Sequence, residues 1–365
     1  MAQHQKSNHA KRPAKKQKNR RRGWAIFGTV FFSIVGVLLF TVSGVLWMFQ
    51  YNRNSSLDSL SDAQLGVNEE LDEDIINIAL FGIDSRNLSS FKGLSDSIMI
   101  LSVDKVHNSI KITSVLRDSV VPIEGRGVNK INAAYSYGGP ELAIKTLNEN
   151  FGLNIRDYAT VNFRGMADII DAVGGIEVDI SEAERNHANH HITWLAASSG
   201  ISKDLIKKAG PQTLNGNQAV AFARLRKVST SSGVSNDFGR TDRQRYVMEQ
   251  LFNKALSMGV SKYPGLIRAM LPHMETSLSY GDIIKLASVL TGDIQFQQAR
   301  IPTGYNMTIA NRDTPSYLGS VVYYRLDYAS DLLHAFIYDD IPTDDYVKQN
   351  PPNTTPWYTE WAANR

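Results

Sequence analysis

Residues 223 to 245 read ARLRKVSTSSGVSNDFGRTDRQR, in which Arg224, Arg226, Lys227, Arg240, Arg243 and Arg245 are opposed only by Asp237 and Asp242. Five of these cations are arginine, whose planar fork suits bidentate recognition of phosphate or carboxylate. Arg224 and Arg226 stand two apart, so in an extended segment both point to one face. Arg240, Arg243 and Gln244 fall at i, i+3 and i+4 in the first turns of a helix capped near Asn236 or Asp237, which puts them on one side near its N-terminus. Unpaired N–H groups and the helix dipole also favour an anion at that end. A charged surface helix with Asp242 and Glu249 as partners is the plainer alternative. It accounts poorly for four arginines and a glutamine separated only by a Ser/Gly-rich loop, and phosphate or pyrophosphate is the natural target of such a density.

A second group lies upstream. Asp84 ends the apolar run LFGIDSR and Asp96 opens the next in LSDSIMI, so adjacent strands would bring both carboxylates to one rim. Paired hard oxygens there suit Mg²⁺, with Mn²⁺ as its substitute; two turn caps would look the same. Arg117 and Asp118 leave a third strand in SVLRDS, with Arg86 available on the same rim. Ligands of open α/β sheets collect at such strand ends. Lys130 and Asn132 precede a helix whose start at Gly138 and Gly139 would let a ligand approach backbone N–H groups. His187, His190 and His191 in NHANHH have ligand-like spacing but no accompanying Glu motif, and read as bland. No cysteine is present and no G-x-S-x-G occurs, which removes thiolate chemistry and leaves serine-hydrolase chemistry without support.

Layered elements must carry these residues. Branched apolar runs predict strands at 75–83, 97–103, 109–116, 158–163, 176–180, 295–301 and 321–328, alternating with helices at 139–151, 164–173, 215–222, 238–258, 279–290 and 329–338. That alternation is the signature of a layered α/β fold. Upstream, residues 1–23 form a basic tail with nine cations and no acid; the whole chain is only +3, so the remainder is acidic and lacks the broad basic face of a nonspecific nucleic-acid binder. Residues 24–49 carry no charge, against about 20 apolar residues needed to cross a bilayer. They predict an uncleaved membrane anchor with the tail inside and the rest outside. Residues 50–74 read as a polar stalk, 75–340 as the extracellular domain and 341–365 as a loose, proline-bearing tail.

The motifs NIALFGIDSR, SDSIMILSVD, SVLRDSVV, NKINAAYSYGGPELAIKTL, VNFRGMADIIDAVGGIEVDI, LNGNQAVAFARLRK and NDFGRTDRQRYVMEQL resemble, in order and spacing, the LytR-CpsA-Psr family of bacterial envelope proteins, over residues 75–258. The resemblance implies an α-β-α sandwich with a central mixed sheet. It implies Mg²⁺-assisted transfer of an anionic glycopolymer, such as wall teichoic acid or capsule, from a polyprenyl-pyrophosphate carrier to peptidoglycan at a bacterial, Gram-positive cell surface. By the same resemblance Asp84 and Asp96 hold the metal. Arg86, Arg117, Lys130, Arg224, Arg226, Arg240, Arg243 and Gln244 grip the pyrophosphate, and Asp237 or Asp118 serves as base beside Arg117 and Arg240. The lipid is expected in an apolar groove to which Leu142, Phe163, Met166, Ile169 or Phe222 contribute. Two departures are Leu94, where many members carry arginine, and Ser97 in place of threonine. A pyrophosphate hydrolase, a lipid-phosphate binder and a membrane-bound transcriptional regulator are the competing readings.

Overall fold

The computed structural model describes residues 52–83, 91–199, 202–230, 233–289, 294–303, 307–310 and 320–352. The basic tail, the expected anchor at 24–49, Asp84 and Arg86 lie outside the described residues. No helix among the described residues is long and apolar enough to cross a membrane.

The described residues open with β1 (Asn52–Arg53), β2 (Ile75–Ile83), β3 (Ser95–Asp104), β4 (Ser109–Val115), β5 (Val120–Ile123) and β6 (Gly127–Lys130). It continues through α1 (Asn132–Phe151), β7 (Asp157–Asn162), α2 (Phe163–Ala172), β8 (Ile176–Ile180), α3 (Glu182–Ser199), β9 (Gly210–Leu214), α4 (Gly216–Ala223) and α5 (Asn236–Ser257). It closes with α6 (Tyr263–Met270), β10 (Met274–Thr276), α7 (Tyr280–Val289), β11 (Gln295–Ile301), β12 (Met307–Ala310), β13 (Val321–Tyr324), α8 (Leu326–Ile337) and α9 (Thr343–Gln349). The main sheet has the order β1-β10-β7-β2-β3-β4-β11. It is mixed: β2 is antiparallel to β3 and parallel to β7, while β4 is antiparallel to β3 and parallel to β11.

Strand alternation divides the apolar residues between two layers. Ala79, Phe81, Ile83, Ile98 and Ile100 pack with residues of α1 and α8 on one face. Leu80, Met99, Leu101, Ile110 and Ile112 face the other side, toward α5 and α6. Helices thus cover both faces of the central sheet. α1 begins seven residues earlier than the 139–151 helix expected, and bends where Gly138 and Gly139 leave helical angles; Gly139 has φ 66°, a value glycine adopts without steric cost.

Both segments read as loose are folded in part. From residue 52 the supposed stalk pairs with β10, buries Leu57 and Leu65 in the core, and is held by Arg156, whose Nε and Nη2 donate to Asp62 at 2.9 and 2.7 Å. Leu57, Leu60, Leu65 and Val67, which all reach that core, are too irregularly spaced among polar residues to form a helical or strand period, which is why the pattern hid them. The supposed tail holds α9, with Val347 buried and Tyr346 edge-on to Tyr328 at 5.8 Å; residues 353–365 lie outside the described residues. The strand expected at 321–328 ends at Tyr324, and α8 takes its last residues.

Candidate active site

The site grows from one end of the sheet. Antiparallel pairing sets Ile98 of β3 opposite Val115 of β4, so Asp96 at the start of one strand meets Arg117 beyond the end of the other. Arg117 Nη1 donates to Asp96 Oδ1 at 2.5 Å, and its Nε lies 3.4 Å from Asp118 Oδ2. The β5–β6 ribbon delivers Lys130, whose Nζ donates to Asp118 Oδ1 at 2.8 Å. Asp118 therefore has both oxygens committed to cations, and its place is to hold Arg117 and Lys130 rather than to act as a free base.

A second wall comes from α4 and α5. The Asn215–Gln218 capping box starts α4, and its end at Ala223 releases Arg224 and Arg226 on either side of buried Leu225. Arg224 stacks on Phe163, 3.8 Å from the ring centroid. On the first turn of α5, Asp237 Oδ1 lies 2.9 Å from Arg240 Nη2, 3.5 Å from Arg226 Nε and 3.7 Å from Arg117 Nη2. One carboxylate oxygen thus faces three guanidinium groups, an excess of positive charge around one point.

Electrostatics sharpen that excess. Burial, then the neighbouring cations Arg117 and Arg226, pull the pKa of Arg240 down to about 10. Burial also opposes the charge on Arg117, but Asp96, Asp118 and Asp237 outweigh it and hold its pKa above the ordinary arginine value. Among the described residues the buried Nε atoms of Arg117 and Arg240 and Oδ1 of Asp237 have no partner in hydrogen-bonding line, although ion-pair distances are met. Buried donors left in this state are costly unless something else satisfies them.

Asp96, Phe163, Arg224, Arg226, Lys227, Arg240 and Gln244 line part of a cavity of about 680 Å³. Phe163, Arg224 and Gln244 also line a second cavity of about 150 Å³ whose remaining walls are largely apolar, including Met166, Ile169, Val220 and Met248. That cavity shares Leu80, Ala159, Met248 and Met270 with a third, of about 320 Å³, between the sheet and α5, α6 and α7. A cationic chamber therefore adjoins an apolar slot.

Residues 45–323 match the LytR_cpsA_psr family. The chain belongs to that family. It is 33% identical over 298 residues to the polyisoprenyl-teichoic acid–peptidoglycan teichoic acid transferase TagU of Oceanobacillus iheyensis, covering 77% of this chain and 84% of the relative. The protein of the same name from Enterococcus faecalis is 29% identical over 276 residues, covering 73% of this chain and 83% of its own. The LytR-CPS2A-psr family protein YwtF (TagT) with bound octaprenyl pyrophosphate lipid shares the fold, with a TM-score of 0.54 at 20% identity over 74% of this chain and 95% of that one.

Of the residues proposed for this LytR_cpsA_psr site, the structure gathers Asp96, Arg117, Asp118, Lys130, Arg224, Arg226, Asp237, Arg240 and Gln244. Asp84 and Arg86 lie outside the described residues. Arg243 is placed elsewhere: it is buried, donates from Nη2 to Glu184 Oε1 at 2.8 Å and to the Val228 carbonyl at 2.9 Å, and from Nη1 to the Leu225 carbonyl at 3.2 Å. At 3.6 residues per turn, positions 243 and 244 diverge by about 100° around the axis, so Gln244 faces the cavity and Arg243 faces α3. Arg245 is partly buried and donates to Asp242. Phe163, Met166 and Ile169 line the apolar slot as expected, whereas Leu142 packs against the core on the opposite side of the sheet and Phe222 is core. Leu94 is exposed. α3 is absent from the helices that periodicity predicts, yet its Asn186, His187, His190 and His191 line the same cationic cavity. Their spacing was visible, but the cavity they face is made by segments distant in sequence.

Proposed function

We propose that this protein transfers an anionic glycopolymer, teichoic-acid-like or capsular, from a polyprenyl-pyrophosphate carrier to peptidoglycan. The observation that carries this reading is that the two chambers adjoin and share the walls of Phe163, Arg224 and Gln244. A cationic chamber joined to an apolar slot is complementary to a pyrophosphate head on a long apolar tail, and to few other metabolite classes. The names of the relatives point the same way.

Phosphoryl transfer asks the protein mainly for positioning and for neutralisation of charge on the equatorial and leaving oxygens. In this reading Arg117, Arg226 and Arg240 exchange the carboxylate oxygen of Asp237 for phosphate oxygens. Gln244 and Arg224, braced on Phe163, hold the junction between head and tail. The acceptor sugar hydroxyl forms a new bond to the polymer-linked phosphorus, its proton passes to Asp237, and the bond from that phosphorus to the bridging oxygen breaks. The lipid phosphate leaves with the electron pair, toward the slot. Asp237 takes the proton because Asp118 is committed at both oxygens. Among the described residues no group of three or more His, Cys, Asp or Glu is gathered for a metal. Asp96 is nevertheless a hard oxygen donor on the chamber wall, as Mg²⁺ requires when it binds one or two carboxylates and substrate phosphate. Asp96 together with Asp84 would hold Mg²⁺, which would supply charge neutralisation for the leaving oxygens.

The full chain in detergent, incubated with a polyprenyl-pyrophosphate-linked polymer and peptidoglycan oligomers, is expected to form a conjugate that EDTA suppresses and Mg²⁺ restores. Free polymer without conjugate would replace transfer by hydrolysis. We also assign the protein to the cell membrane, anchored by residues 24–49 with the catalytic domain outside; the charge asymmetry at 1–23 supports this, and protease accessibility in intact cells tests it.

A further inference from the structure

The part of the cationic chamber's lining that α3 supplies differs chemically from the rest. α3 is fastened from behind: Ala188 and Ile192 are in the core, Glu184 is paired with Arg243, and Asn189 exchanges hydrogen bonds of 2.9 and 2.8 Å with Ile206. Its opposite stripe presents His187, His190 and His191 to the chamber. One turn further along the same stripe stands Trp194, 57% exposed; seven residues bring it back over His187. A tryptophan so exposed on a helix held rigidly in place is not covered by the fold around it.

The imidazoles are suited to hydrogen bonding. His187 Nδ1 donates to the Ala183 carbonyl at 3.1 Å, which leaves Nε2 for a further partner. Burial, then Arg224, His190, His187 and Arg226, lower the pKa of His191. Imidazoles, the amide of Asn186 and an open indole face are what sugar hydroxyls and the C–H face of a pyranose recognise. Anions are left to the arginines of the same chamber. None of these α3 residues lines the apolar slot. In-line displacement places the nucleophile opposite the leaving group, so with the lipid phosphate departing into the slot the acceptor must come from a wall outside the slot, as α3 is.

We propose that the stripe of α3 formed by His187, His190 and His191 at the chamber and by Trp194 one turn beyond them is the acceptor-saccharide subsite, which holds the glycan ring whose hydroxyl attacks. This rests on the transferase reading, and its test separates the two. Binding of a peptidoglycan oligomer to the full chain loaded with octaprenyl pyrophosphate is measured by calorimetry, alongside steady-state conjugation. Trp194→Ala, and separately His190→Ala with His191→Ala, are expected to weaken oligomer binding and to raise the acceptor KM about tenfold, the loss of a stacking or hydrogen-bonding contact. The donor KM should stay within about twofold. Weaker donor binding instead would make the stripe a donor-sugar site, and unchanged constants, or no oligomer binding by the unmodified chain, would make it a solvent face; each overturns the proposal. Oligomer binding that depends on Trp194 without any conjugate would uphold the subsite and reject the transferase reading.

Discussion

Arg240 and Arg243 lie one helical turn apart, and their surroundings give them different work. Arg240 meets Arg117, Arg226 and Asp237 at the chamber wall, where a guanidinium gains most when phosphate charge develops. Replacing Arg117 or Arg240 by alanine is expected to lower kcat for conjugation about 10²- to 10³-fold, the usual loss of one preorganised charge donor, measured with thermal melting as a control for folding. Arg243 has no access to that chamber. It binds the Leu225 and Val228 carbonyls and so fixes the loop that aims Arg224 and Arg226. With Arg243 and Glu184 both buried, Glu184→Gln leaves a desolvated cation without its counter-charge, and about 3–5 kcal/mol of stability should be lost in urea denaturation. The density and type of charge at 223–245 were legible in the sequence. The division of that charge was not, because it depends on which way each residue points around α5.

At the scale of elements, the strands declared themselves by their apolar runs: β2, β8 and β11 span the residues expected, β2 as a nearly continuous apolar run inside a sheet covered on both faces, and β8 as the alternation of a two-stranded ribbon with one open face. α3 did not, because its apolar residues are few among asparagine and histidine, and only packing against α4 and α5 pays its ordering entropy. The position of α4 matters most to the site. Gly216 begins it, and an added Cβ there would sit 1.9 Å from the Ala167 carbonyl of α2. Gly216→Ala must therefore push α4 off α2, at a cost of about 3 kcal/mol, and should raise the donor KM as Arg224 and Arg226 shift with it. The segment before β2 offers a pH test. The hydrogen bond from Arg156 lowers the pKa of Asp62 below its usual 3.8, so the pair stabilises the fold above that value and its contribution fades as pH falls through the lowered pKa. The gap in denaturation midpoint between the native chain and Asp62→Asn should be present at neutral pH and close in strong acid.

Across the whole molecule, the two faces of the central sheet are packed to different ends. On the α1–α8 face, Ile83, Ile144, Phe151 and Leu332 are fully buried in one core, whereas on the other face the sheet and α5 to α7 leave apolar room of about 150 and 320 Å³. An unfilled apolar space forfeits dispersion contacts, so this face should gain stability from an apolar guest. Octaprenyl pyrophosphate at about one hundred times its Kd should add about 2.7 kcal/mol by mass action, seen as a rise in Tm that inorganic pyrophosphate, confined to the arginines, reproduces only in small part. Ala159 on β7 lines both apolar cavities, and Ala159→Phe would place a ring where the chain is expected to run. That variant should lose most of the lipid-induced shift while keeping the response to inorganic pyrophosphate, because the arginine wall is built from α4, α5 and the β4 end and does not depend on Ala159. If Ala159→Phe kept the full lipid response, the tail would have to leave the chamber by another route, and the apolar face would need a different occupant.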